Sequence, residues 1–209
     1  MLRDIRNNYQ QRELHEKDVP GNPIEQFRLW LDEAIAEKVN EPTAMVLSTV
    51  DGQNRPHGRI VLLKDLTKQG FVFFTNYGSA KAGHISTHNH VSLTFFWPEL
   101  ERQVRIDGSI EKIGKKLSDE YFASRPVDSR IGAWASPQSQ VIGSKAFLEE
   151  NFNKCKTKFG GKIPRPQNWG GYLVQPYQIE FWQGRPNRLH DRLLYRLEKQ
   201  GWNLVRLAP

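Results

Sequence analysis

The 209-residue chain has one cysteine, two methionines and no uninterrupted apolar run longer than four residues. Each shortage closes off a class of protein. Cys155 cannot form an internal disulfide, which suits a reducing compartment and points to the cytoplasm. The runs Ile60-Val61-Leu62-Leu63 and Phe71-Val72-Phe73-Phe74 fall far short of the ~20 apolar residues a membrane-spanning helix needs, so no membrane association is expected. No apolar stretch follows the N-terminal charges, so no secretory leader is expected either. Without a GxGxxG a Rossmann dinucleotide site has no support, and GxSxG is also missing. Gly78-Ser79-Ala80-Lys81-Ala82-Gly83 has the glycine spacing of a phosphate-binding loop, but His84-Ile85 follows where Lys and Ser or Thr are required. Lys81, at the start of a short helix, can still meet a phosphate through the helix N-terminus. His84, His88 and His90 lack a cysteine or carboxylate at matched spacing, so surface histidines are favoured over a metal site.

What is present is enough apolar residue, 38% with 11% aromatics, to build a core. The charge balance is basic: 30 Lys and Arg against 23 Asp and Glu, a net +7. Residues 183–209 hold five Arg and one Lys against two acids, so +4 of that surplus sits at the C-terminus. Nucleic acid and phosphorylated small molecules both satisfy such a field.

Residues 1–21 are polar with little periodicity and are expected to form a mobile arm, with residues 22–209 a single domain. Asn22-Pro23-Ile24-Glu25 is a helix start, and Ile24, Phe27, Leu31, Ala34 and Ile35 continue at helical spacing to about Lys38. Residues 44–50, 58–64, 70–75, 91–97 and 103–113 are short, rich in Val, Ile, Phe and Thr, and separated by turn residues. Strands at this spacing, mostly without helices between them, predict a mainly β antiparallel barrel with peripheral α-helices. Helices are expected at 79–88, 118–124 and 144–159, the last with Leu148, Phe152, Cys155 and Phe159 on one stripe and Gly160 ending it. Closing strands are expected at 172–174, 178–182, 193–198 and 202–207.

The densest chemistry lies in Arg185-Pro186-Asn187-Arg188-Leu189-His190-Asp191-Arg192. On an extended segment Arg188, His190 and Arg192 alternate onto one face, and such a like-charged row favours an anion partner.

This stretch resembles the C-terminal signature of the pyridoxine (pyridoxamine) 5′-phosphate oxidases. The resemblance extends over nearly the whole chain. Arg59-Ile60-Val61-Leu62-Leu63-Lys64, Phe73-Phe74-Thr75-Asn76, Leu100-Glu101-Arg102-Gln103-Val104, Tyr121-Phe122-Ala123-Ser124-Arg125-Pro126 with Ser129, Ile131-Gly132-Ala133-Trp134 leading to Gln138-Ser139, and the closing Arg206-Leu207-Ala208-Pro209 occur in the family's order. The resemblance implies an FMN-binding split β-barrel of Greek-key type, built as a homodimer with the flavin at the subunit interface. It implies oxidation of pyridoxine and pyridoxamine 5′-phosphates to pyridoxal 5′-phosphate by O2, with H2O2 and, from the amine, ammonia released. Arg59 and Lys81 would hold the FMN phosphate, with Gln138 and Ser139 reaching it from the partner subunit. Ile60, Val61, Leu62, Leu63 and Lys64 would line the flavin strand, and Phe74, Thr75, Gln103, Trp182 and Arg192 would border the flavin. Lys64, Tyr121, Arg125 and Ser129 would bind the vitamer phosphate. Arg188 and His190 would be the catalytic pair over the vitamer ring, and Arg6 and Tyr9 of the arm would close over it. One position departs from the pattern: Ala80 stands where the family usually carries a second basic residue, a loss of about 1.5–3 kcal/mol of flavin binding if nothing replaces the contact. No motif indicates a second pyridoxal phosphate site. The rival readings are a nicotinamide-dependent flavin reductase on the same barrel and a non-enzymatic binder of nucleic acid or pyridoxal phosphate. The first would not need Arg125, and the second would purify without a flavin spectrum.

Overall fold

Asn22 opens the first helix as its sequence demands. In the computed structural model, which describes residues 1–4 and 8–209, its side chain accepts a hydrogen bond from the Ile24 amide at 2.9 Å, ahead of α1 (Pro23–Ala36). The helix buries Ile24, Phe27, Trp30 and Ala34 and ends before Lys38, which takes a left-handed backbone. Ile35 stays half-exposed, so the buried stripe is narrower than the spacing suggests. Phe27 is fully buried with its ring 4.8 Å from both Phe71 and Phe95, which makes α1 the plug of the main core.

Around α1 the strands are β1 (Ala44–Val50), β2 (Pro56–Leu62), β3 (Asp65–Leu66), β4 (Phe71–Asn76), β5 (His90–Trp97), β6 (Arg102–Lys112), β7 (Trp169–Gln183), β8 (Asp191–Glu198) and β9 (Gly201–Arg206). All pair antiparallel, in the order β2-β1-β5-β6-β7-β4-β3, with β8 and β9 branching from β7. One edge of β7 pairs with β6 from Tyr172 to Gln183. Its other edge pairs with β4 over its first half and with β8 over its last. β2 approaches β4 without pairing to it, which leaves the barrel split there. In β1 and β6 burial alternates residue by residue, with Met45, Leu47, Val104 and Ile106 inward.

Two sequence expectations change. The strands expected at 172–174 and 178–182 are one 15-residue strand. Pro176 does not break it, because it lies opposite Gly108 at a register shift where the ladder is already interrupted. Gly108 has to be glycine there: a Cβ would stand 2.5 Å from the Gln175 carbonyl. The helix α4 (Val127–Ala135) was not expected, since Ile131 and Ala135, one turn apart, are its only buried residues. The remaining helices are α2 (Ala80–Thr87), α3 (Lys115–Ser124) and α5 (Lys145–Phe159). α5 buries no residue fully; Phe152, Cys155 and Phe159 lean on a second cluster of Phe122, Ile131, Ile163 and Trp169. Among the described residues no helix is long and apolar enough to cross a membrane.

Candidate active site

Where β2, β1, β4 and α2 meet, two cations lie close together with no carboxylate between them. Arg59 reaches across to β1, donating through Nη1 to the Leu47 carbonyl at 3.0 Å and to Thr49 Oγ1 at 2.6 Å. A guanidinium only donates, so the Thr49 proton is free for His84 Nδ1, 3.0 Å away. Lys81 is buried, and its Nζ donates to Thr75 Oγ1 at 3.1 Å, Ser79 Oγ at 3.1 Å and Gln138 Oε1 at 3.2 Å. All three partners are neutral. Burial, then the neighbouring Arg59, holds the Lys81 pKa below its ordinary value, and burial lowers that of Arg59. A buried cation with a partly buried one beside it, both compensated only by neutral oxygens, can hold an anion.

Within the chain, Gln138 meets Lys81 and Thr75, as the segment after α4 folds back over β4. Ser139 follows it with a left-handed backbone, φ 70°. In the 60–64 segment, Ile60, Val61, Leu62 and Lys64 line the adjoining cavity, whereas the Leu63 side chain alternates into the core. The Leu63 side chain therefore does not face the cavity.

That cavity, about 250 Å³, also contains Phe74, Thr75, Lys81, Tyr121, Arg125 and Gln138. A second, about 340 Å³, shares Arg125 and Gln138 and adds Ser129. Phe74 and Tyr121 stack at 3.8 Å, with Trp169 parallel to both. The Arg125 guanidinium lies 4.6 Å over the Trp169 ring, and its buried Nη1 has no hydrogen-bond partner among the described residues. Burial lowers the Arg125 pKa and raises that of Tyr121. A buried donor left open in a cavity wall calls for an acceptor from a ligand.

The other expected residues form a second cluster. Gln103 on β6 pairs with Trp182 on β7, and the Trp182 ring lies 4.6 Å from that of His190. Tyr9 packs edge-on against both, at 5.7 and 5.8 Å. The Arg185 amide donates to His190 Nδ1 at 3.1 Å, so the neutral ring carries its proton on Nε2. Burial and Arg188 both lower the His190 pKa. The expected alternation of Arg188, His190 and Arg192 on one strand face does not occur. Pro186–Arg188 is a 3-10 turn with Asn187 and Arg188 both left-handed, and β8 begins only at Asp191. Nor does Arg192 wait for an anion: it donates to Glu180 Oε1 at 2.7 Å and to the Ala208 carbonyl. Arg6 lies outside the described residues.

The two clusters are far apart along the fold. Thr75 pairs with Gly170, and Trp182 lies twelve residues further along β7, about 40 Å of strand. Neither cavity includes Gln103, Trp182, Arg188, His190 or Arg192. Thr49, His84, Trp169 and Glu180 belong to these clusters and escaped the sequence reading. His84 drew notice there only as a metal candidate, and among the described residues no metal-ligating group of three exists. The remaining three carry no motif, since each acts by holding another side chain.

Comparison with known proteins places the chain in a family. The family model described as pyridoxamine 5′-phosphate oxidase matches residues 31–159, and that described as the pyridoxine 5′-phosphate oxidase C-terminal dimerisation region matches residues 169–209. The pyridoxine/pyridoxamine 5′-phosphate oxidase of Neisseria meningitidis is 56% identical over 208 residues, covering 100% of this chain and 99% of that one. That of Haemophilus influenzae is 55% identical with the same coverage. Among solved structures, PhzG from Burkholderia lata, in complex with tetrahydrophenazine-1-carboxylic acid, superposes with a TM-score of 0.89 at 27% identity, covering 94% of this chain and 98% of that one.

Proposed function

The chain belongs to the pyridoxamine 5′-phosphate oxidase family, and from that premise we propose that it is an FMN-dependent oxidoreductase converting pyridoxine 5′-phosphate and pyridoxamine 5′-phosphate to pyridoxal 5′-phosphate. The observation that carries this reading is two neighbouring groups of cations, Lys81 with Arg59 beside it and Arg125 with Lys64: Lys64, Lys81 and Arg125 line one cavity, and Arg125 also lines the next. One suits the flavin phosphate and the other the vitamer phosphate. The residues present fit FMN, since Lys81 is buried without any carboxylate to neutralise it.

FMN, when bound, supplies a two-electron acceptor for the vitamer C4′ hydride and returns the electrons to O2. The balance is then pyridoxine phosphate + O2 → pyridoxal phosphate + H2O2, with water consumed and ammonia released when the amine is the substrate. The protein contributes binding and orientation. Lys81 and Arg59 hold one phosphate, with Thr75, Ser79 and Gln138 fixing the Lys81 ammonium. Arg125, steadied by Trp169, holds the other with Lys64, Tyr121 and Ser129. His190 presents its Nε2 proton as a donor, and Arg188 its guanidinium, toward the vitamer ring. Because these two lie past the end of β7, far from the phosphate sites, the Trp182–His190 cluster of one subunit completes the pockets of the other in a homodimer. The match to a dimerisation region supports that assembly.

Arg125→Ala is expected to raise the KM for pyridoxamine 5′-phosphate by about tenfold or more, the loss of at least one charge-assisted hydrogen bond, with FMN affinity little changed. Steady-state kinetics on protein reconstituted with FMN in air checks this. A KM unmoved by Arg125→Ala would instead favour a reductase with no vitamer phosphate site, and no pyridoxal phosphate from either vitamer would end the reading.

His190 supplies a pH prediction. Its folded-state pKa lies below the ordinary value near 6.5, so the neutral form persists at pH 7 and is lost only as pH falls through that lowered value. The His190 contribution to kcat/KM should accordingly fall on the acid side of pH 6.5. It is read as the difference between the pH profiles of wild type and His190→Gln, because the substrate phosphate also titrates near pH 6.

A further inference from the structure

Glu101 has a buried carboxylate that nothing in the reaction above uses. It follows the turn Pro98–Leu100 in a left-handed backbone, φ 55°, a conformation a non-glycine residue adopts only when its surroundings demand it. The residue is 8% exposed, and among the described residues no Lys or Arg forms an ion pair with it. Its Oε2 accepts instead from two consecutive backbone amides of the N-terminal arm, Gln10 at 2.9 Å and Gln11 at 3.1 Å. Its main-chain carbonyl accepts from the Gly184 amide at 2.7 Å and from Gln183 Nε2 at 3.2 Å. One residue thereby ties the arm to the end of β7, beside Trp182.

The consequence falls on Tyr9, the residue just before those two amides. Its ring fills the space that a side chain at residue 184 would occupy: a Cβ there would stand 2.7 Å from Tyr9 Cγ and 3.0 Å from Glu101 Cβ. So placed, it packs against both Trp182 and His190. Further along, the arm is anchored by other groups. The Arg185 guanidinium donates to the Arg12 carbonyl, Asp191 accepts from the Leu14 amide, and Arg206 donates to the Leu14 carbonyl. Among the described residues, Glu101 is the one partner of the Gln10 and Gln11 amides, while the Gln11 side chain donates to the Glu99 carbonyl at 3.0 Å.

We propose that Glu101 is a positioning residue, a latch whose carboxylate holds the Gln10 and Gln11 amides so that Tyr9 is kept against His190 and Trp182, with Gly184 as the seat for its ring. This rests on the reading of the Trp182–His190 cluster as part of the vitamer site. A carboxylate suits the task because charged acceptors make the stronger bonds to converging backbone amides. Once the arm lifts, the buried charge loses both partners, so the latch favours the closed arm.

The test is a pair of readouts on FMN-reconstituted protein. In Glu101→Ala, amide hydrogen exchange at Gln10 and Gln11 should quicken by about tenfold or more, while the Leu14 amide keeps its protection. The same variant should raise the KM for pyridoxamine 5′-phosphate, with FMN affinity unchanged. Combined with Tyr9→Ala, it should raise KM no further than Tyr9→Ala alone, because both act through one ring. Glu101→Gln, which keeps an acceptor oxygen, should recover part of each effect, and Gly184→Ala, which displaces the ring, should reproduce the KM change. Unchanged exchange at residues 10–11, or KM effects of Glu101→Ala and Tyr9→Ala that add, would overturn the latch. Quickened exchange with no vitamer oxidation in any variant would uphold the latch and overturn the proposed reaction instead.

Discussion

Lys81→Met should weaken FMN binding by about 10- to 150-fold, the equivalent of one charge-assisted hydrogen bond of roughly 1.5–3 kcal/mol, and should at the same time raise the melting temperature of the FMN-free protein. The two effects have opposite signs because the same burial causes both. Lys81 sits in the protein at a depressed pKa, beside a second cation and with only hydroxyl and amide oxygens for company. Without the ligand, that charge is a desolvated liability. Methionine has a similar length and fills the space, while the Thr75 and Ser79 hydroxyls can rotate toward other acceptors. With the ligand, the ammonium meets a phosphate dianion and the cost is offset. Quenching of FMN fluorescence gives the affinity, and thermal melts of the apo and reconstituted forms give the stabilities. A variant that binds FMN as well as wild type would remove Lys81 from the phosphate site. The effect should be pronounced in this chain because Ala80, exposed at the start of the same helix, supplies no second charge.

Phe27→Ala should destabilise both apo and reconstituted protein by about 3–5 kcal/mol, the range for deleting a fully buried aromatic ring. The ring has no solvent exposure and packs against Phe71, Phe95 and Trp97, so the cavity left behind cannot collapse without moving α1 off the barrel. Phe71 opens β4, which carries Phe74 and Thr75 to the site; damage at Phe27 should therefore reach the flavin through strand position and not through any direct contact. Denaturant unfolding measures the loss. A change under 1 kcal/mol would mean that α1 is not the plug of the core.

The strands and helices were largely legible because alternation and helical spacing are local. β1 matches its expected span end to end, and α1 begins at the asparagine whose side chain can cap it. The continuity of β7 is hidden in the sequence because a proline reads as a strand break unless the partner strand is known to slip, and the slip at Gly108 is visible only once β6 and β7 are side by side. The residues of the site were legible as ordered motifs, but their grouping was not. Lys81, Gln138, Lys64, Tyr121, Arg125 and Ser129 gather around two joined cavities, with Arg59 beside Lys81. Gln103, Trp182, His190 and Arg192 lie at the far end of β7. The row of positive charge that suggested an anion at residues 188–192 dissolves, since Glu180 neutralises Arg192 and the turn at Asn187 redirects Arg188. Such compensation by a residue a dozen positions away leaves no local trace. The same holds for Trp169 beneath Arg125 and for Glu101 beneath the arm.

The most direct test of the whole account is the visible spectrum of the FMN-reconstituted protein, held without oxygen, as pyridoxamine 5′-phosphate is added. The flavin absorbance should bleach in proportion to the vitamer, return when air is admitted, and leave one pyridoxal phosphate for each flavin reduced. A protein that takes up no flavin, or whose flavin keeps its colour through the addition, would contradict it.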